Sequence, residues 1–114
     1  MAVKVLSFSY RDFEAPEAAG LVIDCRRLPN PYRDPDMRPM TGKDERVQRY
    51  LLETGEAQAL ADETLACLHE KPGSVVAFGC HGGRHRSVAM AEMFAATLRD
   101  QGYTVDVEHL ALKA

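Results

Sequence analysis

A chain of 114 residues, 46% hydrophobic and 27% charged, has the size and composition of one globular domain. Its net charge of −3 argues against unselective attraction to nucleic acid, and no apolar run approaches membrane-spanning length. Cys25, Cys67 and Cys80 are odd in number and irregularly spaced, which argues against a disulfide framework and for a reduced, cytoplasmic compartment.

The N-terminal residues lack the apolar stretch and cleavage site of a signal peptide. Residues 3–10 alternate, with apolar side chains on both faces at the start, as in a strand covered on both sides. Residues 11–20, with Pro16, read as a connection with room for one helical turn, and residues 21–26 as a second short buried strand. Residues 28–39 then hold four of the chain's six prolines, a density that neither a helix nor a central strand tolerates. Leu28, Tyr32 and Met37 are expected to pin this stiff loop down, and a long ordered loop in a small domain is usually functional.

Thr41 and Asp44 are candidate caps for a helix that places Val47, Tyr50 and Leu51 on one face, and Thr54-Gly55 breaks the chain after it. Ala57, Leu60, Ala61, Thr64, Leu65 and Leu68 recur at helical spacing until Lys71-Pro72-Gly73. An apolar, β-branched run at 74–78 predicts a central strand, residues 88–99 a helix and residues 103–110 a final strand with Tyr103, Val105, Val107 and His109 on one side. His69 reads as a helix-surface residue, His109 as a strand-edge residue, and Met90 and Met93 as core filler. The order β, β, α, α, β, α, β predicts a single α/β domain, with a largely parallel, twisted sheet of about four strands and helices on its faces. In such sheets ligands collect at the carboxyl ends of strands, which places the loop after residue 80 and the proline-rich loop on one rim.

The loop 79–87 carries the densest chemistry. A strand that feeds a Gly-rich turn opening a helix aims several backbone N–H groups at one spot, where the helix dipole also favours an anion. Arg84, Arg86, His81, His85 and Cys80 occupy that turn. Three readings stay open. The spacing C-x-x-G-x-x-R-S suits a cysteine-dependent phosphatase with Cys80 as nucleophile, Arg86 and the loop amides on the phosphoryl oxygens, and Ser87 assisting the leaving thiolate. Asp24, Asp34 or Asp36 would then supply the acid. Alternatively the Gly-Gly turn and arginines bind an anion without turnover, with Cys80 merely ending a buried strand. In the third reading the loop is structural and its arginines cap carboxylates. Cys80, His81 and His85 are poorly spaced for a metal and lack a fourth ligand nearby, so no metal is expected.

Three stretches carry a resemblance. Asp24-Cys25-Arg26-Arg27-Leu28-Pro29-Asn30-Pro31, Met37-Arg38-Pro39-Met40-Thr41-Gly42 and Gly79-Cys80-His81-Gly82-Gly83-Arg84-His85-Arg86-Ser87-Val88 resemble, in order, motifs of the C-terminal domain of the RapZ family of bacteria. The family pattern runs D-V-R-F-L-P-N-P, then L-R-P-L-T-G, then I-G-C-T-G-G-x-H-R-S-V. The resemblance spans nearly the whole chain and implies a non-catalytic binding domain. Family members of this kind self-associate, bind a small regulatory RNA to present it to an endoribonuclease, and sense an amino-sugar phosphate or bind a nucleotide sugar. Carried onto this chain, the phosphate-binding residues are Cys80, His81, Gly82, Gly83, His85, Arg86 and Ser87 on one loop, with Asn30 and Arg38 on the other.

An RNA would meet Arg26, Arg27, Arg38, Lys43, Arg46, Arg49 and Arg84. A homodimer and a separate protein partner are also implied, and no cofactor or membrane contact is expected. His81 departs from the family's usual threonine, and Tyr32 from a frequent histidine. The family's P-loop domain is not within these residues, so ATP or GTP binding is not expected. Its basic tail is replaced by residues 108–114, which weakens the expectation of RNA affinity.

Overall fold

The apolar runs form four parallel strands in the spatial order β2-β3-β1-β4. The computed structural model describes residues 2–12 and 14–112. Its elements are β1 (Ala2–Ser9), β2 (Leu21–Asp24), a 3-10 turn (Pro31–Arg33), α1 (Glu45–Leu52), α2 (Glu56–Glu70), β3 (Val76–Cys80), α3 (Arg86–Asp100) and β4 (Thr104–His109). β1 sits between β3 and β4, pairing Val5 with Val76 and Val3 with Val105.

The expected α/β class, parallel sheet and element order hold, with small shifts at the ends. β2 stops at Asp24, whose carboxylate accepts the Arg26 backbone N–H at 2.9 Å and so turns the chain, although the Cys25 N–H still reaches the Gly79 carbonyl at 2.7 Å. β3 runs on to Cys80, and the last helix starts at Arg86 rather than Val88. Residues 14–20 hold a turn closed by Ala19 N–H on Pro16 O, not a helix. Asp44 is the N-cap of α1 by backbone geometry, and its carboxylate accepts the Thr41 N–H at 2.8 Å instead of capping the helix.

All three helices pack on one face of the sheet. Val47 and Leu51 of α1, Ala57, Leu60 and Leu68 of α2, and Ala89, Phe94 and Leu98 of α3 join Val3, Val5, Val76 and Phe78 in a single core. The cause is handedness. Strand crossovers are right-handed, so β2 to β3 and β3 to β4, which move the same way across the sheet, put their helices on the same side. The move from β1 to β2 runs the other way and places the connection on the opposite face. There Tyr10, Ala15 and Ala19 cover Leu6, Phe8 and Ala77.

Met90 is buried and Met93 packs against the core, as fillers do, and His69 is exposed. His109 ends an edge strand, but its ring is turned inward. Nδ1 lies 2.6 Å from Ser7 Oγ and Nε2 2.7 Å from Glu92 Oε2, tying β4 to β1 and α3. Its i, i+2 phase with Val105 and Val107 was visible in the sequence, but its partners, more than a dozen residues away, were not.

Candidate functional site

At the carboxyl rim of the sheet, β3 delivers the chain into residues 81–85 and α3 takes it up. Gly82 and Gly83 have φ of 86° and 64°, left-handed values that side chains rarely adopt. Gly83 is also buried against the end of β1: a Cβ there would come within 2.9 Å of Ser9 Cβ and 2.6 Å of Ala111 Cβ. The Ser9 hydroxyl beneath it is buried and has no hydrogen-bond partner among the described residues. Cys80 is buried under the α3 N-terminus, where its Sγ accepts the Ser87 N–H at 3.3 Å and lies 3.1 Å from Ser87 Oγ.

Three successive residues of this loop then reach the proline-rich segment. Arg84 donates from Nε to Met40 O at 2.9 Å and from Nη2 to Pro39 O. His85 is within 3.1 Å of Met37 O through Nε2, so that nitrogen carries the proton and donates. Arg86 donates from Nη1 to Arg26 O and, at 3.4 Å, to Leu28 O. In return Gly42 N–H donates to Arg84 O at 2.9 Å. Gly42 lies so close to the start of α3 that a Cβ would collide with the backbone of His85, Val88 and Ala89. The arginines therefore cap carbonyls, where carboxylates were one of the open expectations.

Burial holds the pKa of His85 below its ordinary value, with the Arg84 charge pushing the same way against opposing hydrogen bonds to backbone carbonyls, so the ring is neutral at pH 7. Burial pushes the Cys25 thiol up, with neighbouring Cys80 and Asp24 adding to it. Hydrogen bonds from Arg26 hold the Asp24 carboxyl below the usual carboxylate range.

A cavity of about 360 Å³ opens between the two loops, lined by Arg11, Asn30, Tyr32, Cys80, His81, Gly82, Arg84, His85 and Arg86. Six of the nine residues assigned to ligand from the sequence converge there: Asn30, Cys80, His81, Gly82, His85 and Arg86. Gly83, Ser87 and Arg38 do not line it. Gly83 packs on β1, Ser87 holds Cys80 from behind, and Arg38 donates to Tyr32 O at 2.6 Å with its guanidinium 5.0 Å from the Tyr32 ring. Asn30 fixes the turn by accepting the Tyr32 N–H at 3.1 Å.

Leu28 and Met37 are buried and pin the proline-rich loop, as expected, but Tyr32 is 60% exposed and stands at the cavity instead of anchoring. Arg11 escaped the sequence reading. The available signal was its place just beyond the carboxyl end of a strand, the same rule that selects the other two loops.

None of Asp24, Asp34 and Asp36 lines the cavity. Among the described residues no three His, Cys, Asp or Glu side chains gather as metal ligands. Of the basic residues assigned to RNA, Arg26 is clasped to Asp24 at 2.7 Å and stacked 4.0 Å from the Tyr10 ring. Arg46 lies 3.8 Å from both Asp34 and Asp36, and Arg84 is spent on carbonyls. Arg27, Lys43 and Arg49 are exposed with no ion pair among the described residues. Lys113, in the terminal stretch compared with the family's basic tail, lies outside the described residues. Among the described residues no helix is long and apolar enough to cross a membrane.

Comparison with known proteins agrees with the motifs. The chain is 43% identical over 118 residues to a protein named nucleotide-binding protein from Thermobifida fusca (strain YX), covering 96% of this chain and 40% of that protein. It is 39% identical to a protein of the same name from Nitratidesulfovibrio vulgaris (strain DSM 19637 / Miyazaki F), again over 96% of this chain and 40% of the relative. The chain thus spans about two fifths of the length of these relatives. The family described as the RapZ C-terminal domain matches residues 1–113, and the chain belongs to it.

Proposed function

We propose that this domain binds a phosphorylated small molecule, an amino-sugar phosphate or a nucleotide sugar, in the cavity between its two rim loops. The observation that carries the reading is the cavity's lining: Arg11, Arg84 and Arg86 border it together with the Gly82 turn at the start of α3, and among the described residues no carboxylate does. Cations and backbone N–H groups that converge on one hollow favour an anion. Its volume of about 360 Å³ falls at the small end of ligand pockets. Asn30 and Tyr32 border the same space, with hydrogen-bonding and aromatic surface for the part of the ligand beyond the phosphate. The name carried by the relatives, nucleotide-binding protein, is compatible with a ligand of this class.

Binding is favoured over hydrolysis. Cys80 is 1% exposed with its Sγ engaged by Ser87, and among the described residues no carboxylate borders the cavity to protonate a leaving oxygen. Calorimetry against a panel of sugar phosphates and nucleotide sugars tests the reading. Saturable binding that is lost in Arg11→Ala and Arg86→Ala supports it; no binding by the native protein, or binding indifferent to both changes, overturns it. Turnover of an aryl phosphate abolished by Cys80→Ser would establish the phosphatase instead.

A second reading, RNA binding, rests on Arg27, Lys43 and Arg49, which are exposed without ion pairs among the described residues. Asp34, Asp36 and Glu53 interleave with Arg46 and Arg49, so affinity would be modest and steeply salt-dependent. Gel-shift titrations at two salt concentrations check this.

A further inference from the structure

Two cysteines stand side by side where β2 and β3 end. The strand register pairs Leu21 with Val76 and Ile23 with Phe78, and the members of both pairs face the helix-side core. The next pair in that row is Cys25 and Cys80, and the Cys25 N–H donates to Gly79 O as a parallel ladder requires. Opposed residues of neighbouring strands project from the same face with Cα atoms about 5 Å apart, inside the range that a disulfide spans. Both cysteines are buried in that core, and Cys80 is near enough to push the Cys25 thiol up. The family pattern D-V-R-F has valine where this chain has Cys25, so the pair belongs to this chain and not to the pattern.

The two thiols differ in access. Cys80 borders the cavity between the rim loops, where a small solute can meet it, and Cys25 does not. On the other side of Cys80, in register with it on β1, Ser9 carries a buried hydroxyl with no hydrogen-bond partner among the described residues. A hydroxyl in that place is suited to hydrogen-bond an oxygen added to the neighbouring sulfur.

We propose that Cys25 and Cys80 form a reversible disulfide when hydrogen peroxide enters the rim cavity. Cys80 Sγ attacks one peroxide oxygen, the O–O bond breaks, and the thiol proton leaves with the other oxygen as water. Cys80 is then a sulfenic acid. Cys25 Sγ displaces its hydroxyl group, the S–S bond forms, and the Cys25 proton leaves with that hydroxyl as a second water. Two thiols are oxidised and one peroxide is reduced; a dithiol reverses the bond by exchange. Transient bonds of this kind are the ones that reducing compartments use for sensing.

The bond would tie the walls of the cavity together at their roots. Cys25 opens the proline-rich loop and Cys80 the glycine loop, which in the reduced protein are joined by the hydrogen bonds of Gly42, Arg84, His85 and Arg86. The inference is independent of what the rim cavity binds.

Peroxide treatment of the full chain carrying Cys67→Ser, which removes the exposed third thiol, tests it. After free thiols are blocked, intact mass and peptide mapping are expected to show a mass lower by two hydrogen atoms and a Cys25–Cys80 bond that a dithiol reverses. In the same background Cys25→Ser is expected to stop at a Cys80 sulfenic acid that dimedone captures. Cys80→Ser is expected to leave Cys25 reduced over the same time, with circular dichroism establishing that each variant is folded. Hydrogen exchange in residues 26–42 is expected to slow on oxidation. Absence of the bond in the folded protein, its formation only in urea, or unchanged exchange in the oxidised protein overturns the inference.

Discussion

The two rim loops are built on opposite plans. Residues 81–85 are short, shaped by two left-handed glycines and wedged between β1 and α3. Residues 25–44 form a long, proline-rich stretch, half of it exposed. Proline removes donors but leaves every carbonyl in place, so such a loop is rich in acceptors that it cannot satisfy itself. Arg84, His85 and Arg86 supply the missing donors, one after another, to carbonyls spread from Arg26 to Met40. The basic residues that make the cavity attractive to an anion are therefore also the clamp that gives it a second wall. Changing one of them is expected to alter both the proposed binding and the architecture.

That division can be broken in graded steps. The largest effect is expected from Gly42→Ala, because the new methyl group meets backbone at the start of α3 and cannot be relieved by rotating a side chain. A loss of about 3 kcal/mol in denaturant unfolding, or failure to fold, is expected. Arg86→Ala comes next. It leaves the Arg26 and Leu28 carbonyls without their donor, at a cost of about 2 kcal/mol, and also weakens phosphate binding.

His85 gives a pH-dependent effect. Its folded pKa lies below the unfolded value, so the unfolded chain takes up the proton first as pH falls. The stability from the neutral ring is complete above the unfolded pKa and is lost progressively as pH falls towards the folded one. Denaturation midpoints measured downward from neutral pH are expected to decline less steeply in His85→Gln, whose amide can still donate to Met37 O. The smallest effect belongs to Arg84→Ala. Its guanidinium is exposed, water can replace it at Pro39 and Met40, and about 0.5 kcal/mol is expected. If Arg84→Ala proved as damaging as Arg86→Ala, the clamp would not be graded by burial as described.

Strands and helices were legible because their signals are local. Alternation at residues 3–10, the recurrence from Ala57 to Leu68 and the apolar run before Cys80 each identify an element without reference to the rest of the chain. The rim was legible through topology, since a parallel sheet gathers its carboxyl-end loops. The clamp was not. Arg86 and the carbonyls it holds are about sixty residues apart in the chain, and a carbonyl belongs to every residue type, so no pattern marks it as the partner. Tyr32 shows the same limit. An aromatic in a loop suggests an anchor, but here Leu28 and Met37 fill the core and leave Tyr32 standing over the cavity. The single-faced packing of the helices was, by contrast, available from the crossover rule once the strand order was known.

The position of β1 bears on how the chain is made. Of the four strands of this sheet it is the first to be synthesised, yet it lies between β3 and β4, pairing Val5 with Val76 and Val3 with Val105. On the ribosome it must wait, apolar and unpaired, until most of the chain has been translated, which makes the nascent domain dependent on late, long-range closure. Synthesis that pauses before Val76 would expose that strand to chaperones, and a truncated product that lacks β3 and β4 would retain it with no sheet to join.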